Sequence, residues 1–334
     1  MRRVSPVQPP GRVRTHFFRS AYRPAMDRLD RTLAAIRRPG FGVLVFDDYA
    51  DAALRERGIR ADAATDLFEF AVDASTPRAS LGGVLASAGQ LEPLHPLMAP
   101  PPDRGTMLGV RLTLGNGTSD TDRSLTDARR VGASFVEIRA NRRPGQFPRG
   151  EAHVDARAVA GAAALAQGAG LVPVITVALP GMPGSATGVT RAVIVNALRA
   201  IFLALEDVPC DPGRLVLRMP LISPGPRSTQ SIAASSVASH TLDVLDEAVP
   251  TAVAATWFLS AGHPLATVRD HLVAVSTLSA GCGQDRHLGF ALGRALLEPA
   301  LEGWTRGGSA RARQQLAAAC ESAHRAMVPA LASS

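Results

Sequence analysis

Residues 251–276 read TAVAATWFLSAGHPLATVRDHLVAVS. Val253–Ser260 is a continuous apolar run, the pattern of a strand covered on both faces. A turn at Gly262 follows, and Leu265–Leu278 then spaces its apolar residues as a helix does. Residues 288–307, LGFALGRALLEPALEGWTRG, begin in the same way, with Leu288–Leu292 running into Gly293-Arg294. A strand, a glycine turn and a helical pattern in succession make the repeating unit of a parallel sheet.

Further apolar runs extend the pattern towards the N-terminus: Val43–Asp47, Gly83–Ser87, Leu108–Leu114, Ser134–Arg139, Val172–Ala178 and Leu215–Leu221. Helical spacing is expected over Ala158–Ala169, Thr190–Leu205, Thr229–Ala248 and Ala310–Met327. Eight strands alternating with helices predict the α/β class, and eight is the number that closes a (β/α)8 (TIM) barrel. An open doubly wound sheet is the alternative, but no G-x-G-x-x-G follows the first strand. The proline-rich stretch 99–102 reads as a surface loop between strands 2 and 3. One domain is therefore expected over 25–334, preceded by an Arg/Pro-rich arm, 1–24, expected to be flexible.

The chain has 334 residues, of which 46% are hydrophobic, enough for one large core. No apolar run approaches the ~20 residues that cross a bilayer, and residues 2–24 lack the apolar region of a secretory signal. A soluble, cytoplasmic protein with no membrane partner is expected. All 36 basic residues are arginine, giving a formal charge of +7 and a pI near 10.6. Most are dispersed among Asp and Glu, which argues against a nucleic-acid face. The cluster preceding Asp27 is the exception, and the arm reading covers it. Cys210, Cys282 and Cys320 lie far apart, and the histidines show no metal-ligand spacing. His263 and His271 bracket a helix start at a separation unlike a standard metal pair. No metal and no cofactor is expected.

In a barrel of this kind, sites form at the C-terminal ends of the strands, and a phosphate is often held after strands 7 and 8. Ser260 offers a hydroxyl there, Gly262 a close backbone approach, and Gly293-Arg294 a helix start with a bidentate guanidinium. Spacing alone also fits a glycine turn beside a surface arginine.

Residues 251–276 resemble the strand-7 stretch of the class I fructose-bisphosphate aldolases, marked by F-L-S-G-G, and 288–307 resemble strand 8 with its Y-G-R-A-L run. RPGFGVLVFDD (38–48), LGGVLAS (81–87), GASFVEIRA (132–140), GLVPVITVALPG (170–181) and RLVLRMPLISPG (214–225) resemble strands 1, 2, 4, 5 and 6 in order. The resemblance implies that Ser260, Gly262 and Arg294 hold a substrate phosphate, with Ala261 replacing a glycine. It implies that Asp47 positions substrate hydroxyls and handles protons, and that Arg139 lies near a second phosphate. It also implies a phosphorylated small molecule as ligand and a homo-oligomer as assembly.

The departures concern catalysis. The family's Schiff-base lysine falls on Arg218, its strand-4 lysine on Glu137 and its strand-3 lysine on Arg111. The acid–base glutamates of strand 5 fall on Thr176 and Ala178. Schiff-base chemistry needs a neutral primary amine; a guanidinium, with a pKa above ~12, does not supply one, and the sequence has no lysine. Two functions follow as expectations. One is a pseudoenzyme of glycolytic ancestry that binds a phosphorylated sugar or related anion. The other is a repurposed lyase using Asp47 (with Asp48 beside it) or Glu137 for acid–base chemistry, with Arg218 stabilising an oxyanion. Glu137 with Arg111 and Arg139 also fits an internal ion-pair network filling the barrel mouth.

Overall fold

The computed structural model describes residues 15–46, 53, 56–58, 66–67, 69–71, 80–87, 90, 106–112, 114, 118–140, 155–178, 182–283 and 286–328. Eight parallel strands close a barrel in chain order: β1 (Gly42–Val45), β2 (Gly83–Ser87), β3 (Met107–Arg111), β4 (Phe135–Arg139), β5 (Val172–Thr176), β6 (Val216–Pro220), β7 (Ala255–Leu259) and β8 (Leu288–Leu292). The described helices are α1 (Thr15–Ile36), α2 (Thr118–Arg130), α3 (Ala156–Gly168), α4 (Thr187–Glu206), α5 (Ala234–Ala248), α6 (Leu265–Gly281) and α7 (Arg294–Met327). β1 closes the ring against β8 in the register Val43↔Ala291. This is the (β/α)8 barrel that the strand count predicts.

The continuous apolar runs separate into two cores once side chains alternate across the sheet. Leu44, Val84, Val110, Val136, Ile175, Leu217, Phe258 and Phe290 point outward and pack under the helices. Val43, Val45, Phe135, Val172, Val174, Val216 and Trp257 point inward and fill the barrel. Phe135 meets Trp257 edge-on at 5.5 Å between ring centroids, and Phe41 stacks on the same indole at 5.5 Å. Leu29, Leu33 and Ile36 of α1 join this inner core. Arg37, just past α1, donates to the carbonyl of Gly213 (3.0 Å), just before β6, so α1 closes the N-terminal end of the barrel. The opposite end, where the strands finish, is left for a site.

β2 and β8 have the expected bounds, and the other six strands differ at one or both edges by one to three residues. Leu112, Leu221 and Ile222 lie past the last ladder residues yet remain buried, so the apolar pattern outlasts the strand. The helix expected from Thr229 begins at Ala234, because Ile232 packs on the core from an irregular segment. The helix expected from Ala310 is the second part of α7, which breaks at Gly307 and Gly308, the latter at φ 69°. The boundary expected at residue 24 falls inside α1, which is helical from Thr15. Residues 1–14 and the stretch 99–102 lie outside the described residues. α4 is long and apolar enough to span a membrane by length and composition, but half of that stretch is buried within the fold, as in a barrel's covering helix.

Candidate functional site

The inward alternation that fills the barrel with Val and Phe places charged residues one layer higher. β3 and β4 pair Arg111 with Glu137, and β5 and β6 pair Thr176 with Arg218. Glu137 has no solvent exposure. Its Oε1 accepts from Arg218 Nη1 (2.6 Å) and from the Thr176 hydroxyl (2.9 Å). Its Oε2 accepts from Arg111 Nε (2.7 Å) and Arg139 Nε (3.3 Å). Arg218 spends its remaining edge on the Ala291 carbonyl, through Nη2 (3.0 Å) and Nε (3.3 Å). The barrel mouth thus holds one carboxylate enclosed by three guanidiniums, the ion-pair network that the sequence allows.

Burial raises the pKa of the Glu137 carboxyl, but the charges of Arg218, Arg111 and Arg139 outweigh it and hold the group at about 2. Glu137 is therefore ionised at neutral pH, and both oxygens are occupied. Burial lowers the Arg218 pKa, and Glu137 opposes that shift. Because the folded carboxyl titrates below its ordinary value near 4.5, the unfolded chain takes up a proton first as pH falls. The stabilisation from this group is full above about pH 5 and is lost towards about pH 2, a contribution of about 3 kcal/mol. Unfolding free energies measured by urea between pH 6 and pH 2 should decline more steeply for the native chain than for Glu137→Gln. Parallel curves would show that Glu137 carries no such shift.

A separate cavity of about 700 Å³ opens beside the network, over the ends of β5 to β8. Its walls come from the loops after β5, β6 and β7 and from Arg294 at the start of α7. Ala261 and Gly262 both adopt positive φ, 47° and 92°. At Gly262 a Cβ would stand 2.6 Å from Arg294 Nη2 and 3.2 Å from the Pro226 ring, so a side chain there would displace the guanidinium, and φ 92° itself favours glycine. His263 ties two walls together. Its Nε2 lies 2.9 Å from the Pro224 carbonyl, which only accepts, so this nitrogen carries the proton. The Ser223 hydroxyl is 3.3 Å from the same atom. Burial lowers the His263 pKa, Pro224 opposes this, and the charge of Arg294 lowers it further, favouring the neutral ring.

The structure thus divides the expected site residues between two places. Glu137, Arg218, Arg111 and Arg139 meet in the barrel mouth. Gly262 and Arg294 line the cavity. Ser260 and Gly293 shape its turns: the Ser260 carbonyl accepts from His263 N (2.9 Å), and the Gly293 carbonyl from Leu296 N (2.9 Å) and Leu297 N (3.1 Å). Asp47 and Asp48 lie outside the described residues. His263 and His271 pack ring against ring at 6.0 Å, and among the described residues no three His, Cys, Asp or Glu side chains cluster as metal ligands. Arg227, Ser223 and the clamping role of His263 escape the sequence reading. The strand-end rule could have singled out Arg227, in the SPGPRS loop after β6.

Comparisons with known proteins agree with this architecture. Residues 111–334 match the family model described as "Glycolytic: Fructose-bisphosphate aldolase class-I". The chain is 28% identical over 178 residues to cytosolic fructose-bisphosphate aldolase 4 of Arabidopsis thaliana, a match covering 52% of this chain and 44% of that protein. It is 30% identical over 177 residues to cytoplasmic isozyme 2 of Pisum sativum, covering 52% and 48%. The matched region therefore spans about half the length of these relatives. A fructose-bisphosphate aldolase structure from Plasmodium falciparum superposes with a TM-score of 0.74 at 18% identity, covering 90% of this chain and 95% of that one, which is a likeness of fold.

Proposed function

Because the chain belongs to the class-I fructose-bisphosphate aldolase family, we propose that it is a member that binds a phosphorylated sugar or related anionic metabolite and performs no Schiff-base aldol cleavage. In this reading it is a cytoplasmic pseudoenzyme. The observation that carries the proposal is the barrel centre. Arg218 holds Glu137 there with Nη1 and Ala291 with Nε and Nη2, in a sequence without lysine. A carbonyl substrate needs a neutral primary amine to form a Schiff base, and no side chain provides one. Glu137, held at about 2 with both oxygens occupied, is a weak base near neutral pH. It serves as a counter-ion, and the repurposed-lyase alternative falls back on Asp47. Gly262 and Arg294 support the phosphate role through the close fit of backbone and guanidinium.

Thermal unfolding with dihydroxyacetone phosphate, fructose 1,6-bisphosphate and inorganic phosphate tests the binding. A ligand at 100 times its Kd adds about 2.7 kcal/mol, and Arg294→Ala should abolish the gain. No stabilisation in the native chain would sink the phosphate reading. Borohydride reduction with dihydroxyacetone phosphate, read by intact mass, tests the chemistry. The expected result is no adduct and no cleavage of fructose 1,6-bisphosphate; a trapped adduct with turnover would overturn the pseudoenzyme.

A further inference from the structure

The loops around the cavity are held to one another in two different ways. The loop after β6 is bound to the loop after β5 by backbone hydrogen bonds, Gly225 N to the Ser185 carbonyl (2.8 Å) and Arg227 N to the Pro183 carbonyl (2.7 Å). Among the described residues no such backbone bond joins the loop after β6 to the turn after β7. That seam is closed by a side chain. His263, on the turn after β7, carries its proton on Nε2 and donates it to the Pro224 carbonyl (2.9 Å), with the Ser223 hydroxyl 3.3 Å from the same nitrogen. Ser223 and Pro224 line the cavity on one side of the seam, and Ala261, Gly262 and Pro264 line it on the other.

A second histidine stands against the first. His271, on α6 and 8% exposed, packs its ring on the His263 ring at 6.0 Å between centroids, with 75° between the planes. Asp270 is beside His271 in sequence, but its exposed side chain is bound to Arg269 (2.9 Å). Arg294, at the start of α7, brings a positive charge to His263. α5, which packs on α6, supplies no charge that shifts either ring. Burial therefore holds both rings towards the neutral form. The charge of Arg294 adds to this at His263, and His263 itself adds to it at His271, while the Pro224 carbonyl and Asp270 oppose it.

We propose that His263 and His271 form an acid-sensitive latch on the seam between the loop after β6 and the turn after β7. With a neutral ring facing its neighbour, the latch stays shut. Protonation of both sets two imidazoliums against each other beside the Arg294 guanidinium, where burial weakens the screening by water. Moving His263 off the Pro224 carbonyl relieves that repulsion and opens the cavity wall. Each ring titrates below its ordinary value near 6.5 while the latch is shut and close to that value once exposed, so the open form takes up protons first as pH falls. The closed form is fully favoured above about pH 6.5 and loses its advantage below it, about tenfold for each pH unit by which a closed ring titrates low. The latch acts on the wall of the cavity and is independent of what the cavity binds.

Amide hydrogen exchange read by mass spectrometry at about pH 7.5 and about pH 5, corrected for the intrinsic pH dependence of exchange, tests the latch. In the native chain, residues 221–228 and 258–266 should exchange about tenfold or more faster at the lower pH. Residues 156–168, in α3, should not change. Glu137, held at about 2, keeps its charge over this range. His271→Phe keeps a ring and removes one proton site, so most of the acid response should disappear; His271→Gln repeats the test with a smaller side chain. His263→Gln, which keeps a side-chain donor but takes no charge, should exchange alike at both pH values. Histidine ring resonances followed by NMR read the coupling itself, and the His263 midpoint should rise by about half a pH unit or more when His271 is replaced. Equal protection at both pH values in the native chain would overturn the latch. So would a native acid response in both His271 variants, or a His263 midpoint indifferent to His271.

Discussion

Glu137→Gln is expected to lower the free energy of unfolding by about 3–5 kcal/mol, the cost of removing one partner from a buried ion pair. The amide is isosteric, so the loss is electrostatic. Arg218, 7% exposed, keeps its charge and loses its counter-ion, while Arg111 and Arg139 are left facing the same vacancy of charge. The burial that makes the carboxylate costly makes the orphaned guanidiniums costlier. Urea unfolding at pH 7 reads the effect. A loss under about 1 kcal/mol would mean that the guanidiniums do not depend on Glu137. The double variant Glu137→Leu with Arg218→Met provides a cross-check, since it removes the most buried guanidinium together with its carboxylate, although Arg111 and Arg139 still lose their partner. It should recover much of the loss, and a purely additive result would deny the coupling. Because Glu137 does not line the cavity, phosphate binding in a folded Glu137→Gln protein should stay close to native. That separates the barrel mouth, as a stabilising network, from the cavity, as a binding site.

Phe135→Ala should cost about 3–5 kcal/mol, the range for deleting a buried aromatic. Phe135 is fully buried and meets Trp257 edge-on. Its ring occupies the space in which side chains at Gly83 and Gly109 would lie: a Cβ at Gly83 would approach it to 3.3 Å, and one at Gly109 would enter it. The glycines at these two positions of β2 and β3 leave room for one large ring on β4. Gly109→Ala should therefore destabilise the native chain through overpacking but cost much less in the Phe135→Ala background, where the ring is gone. A double-mutant cycle by urea unfolding measures the difference. Equal costs in both backgrounds would show that Phe135 and Gly109 do not share that space.

The two arginine-lined places, the barrel mouth and the cavity, have different physical characters. In the mouth each Glu137 oxygen accepts two hydrogen bonds, while Arg111 Nη2 is buried without a hydrogen-bond partner. The cavity is built from loops held by backbone hydrogen bonds and by His263. Selection can alter the first without touching the second, because they share no described wall.

What the sequence determined by itself was the barrel. Runs such as Val172–Thr176 and Ala255–Leu259 are apolar on both faces, and that local pattern is legible because a strand covered on both sides must be apolar along its length. Their number and alternation with helices then leave few ways to close the sheet. The absence of lysine from the sequence is also a property of the chain alone. The helix Thr118–Arg130 was not legible: its sequence, TSDTDRSLTDARR, buries few apolar residues, so little periodicity marks it. The residues of the site were visible in type but not in grouping. Arg111, Glu137 and Arg218 are named by their positions at strand ends, yet sequence spacing cannot tell a catalytic set from a closed ion network. Only the tertiary structure brings them together as one network, because Glu137 meets Arg111 across 26 residues and Arg218 across 81. It also brought Arg227 and Arg294 to the lining of one cavity and packed the loop after β6 on the loop after β5, Gly225 against Pro183, and long-range contacts of that kind leave no local period in the chain.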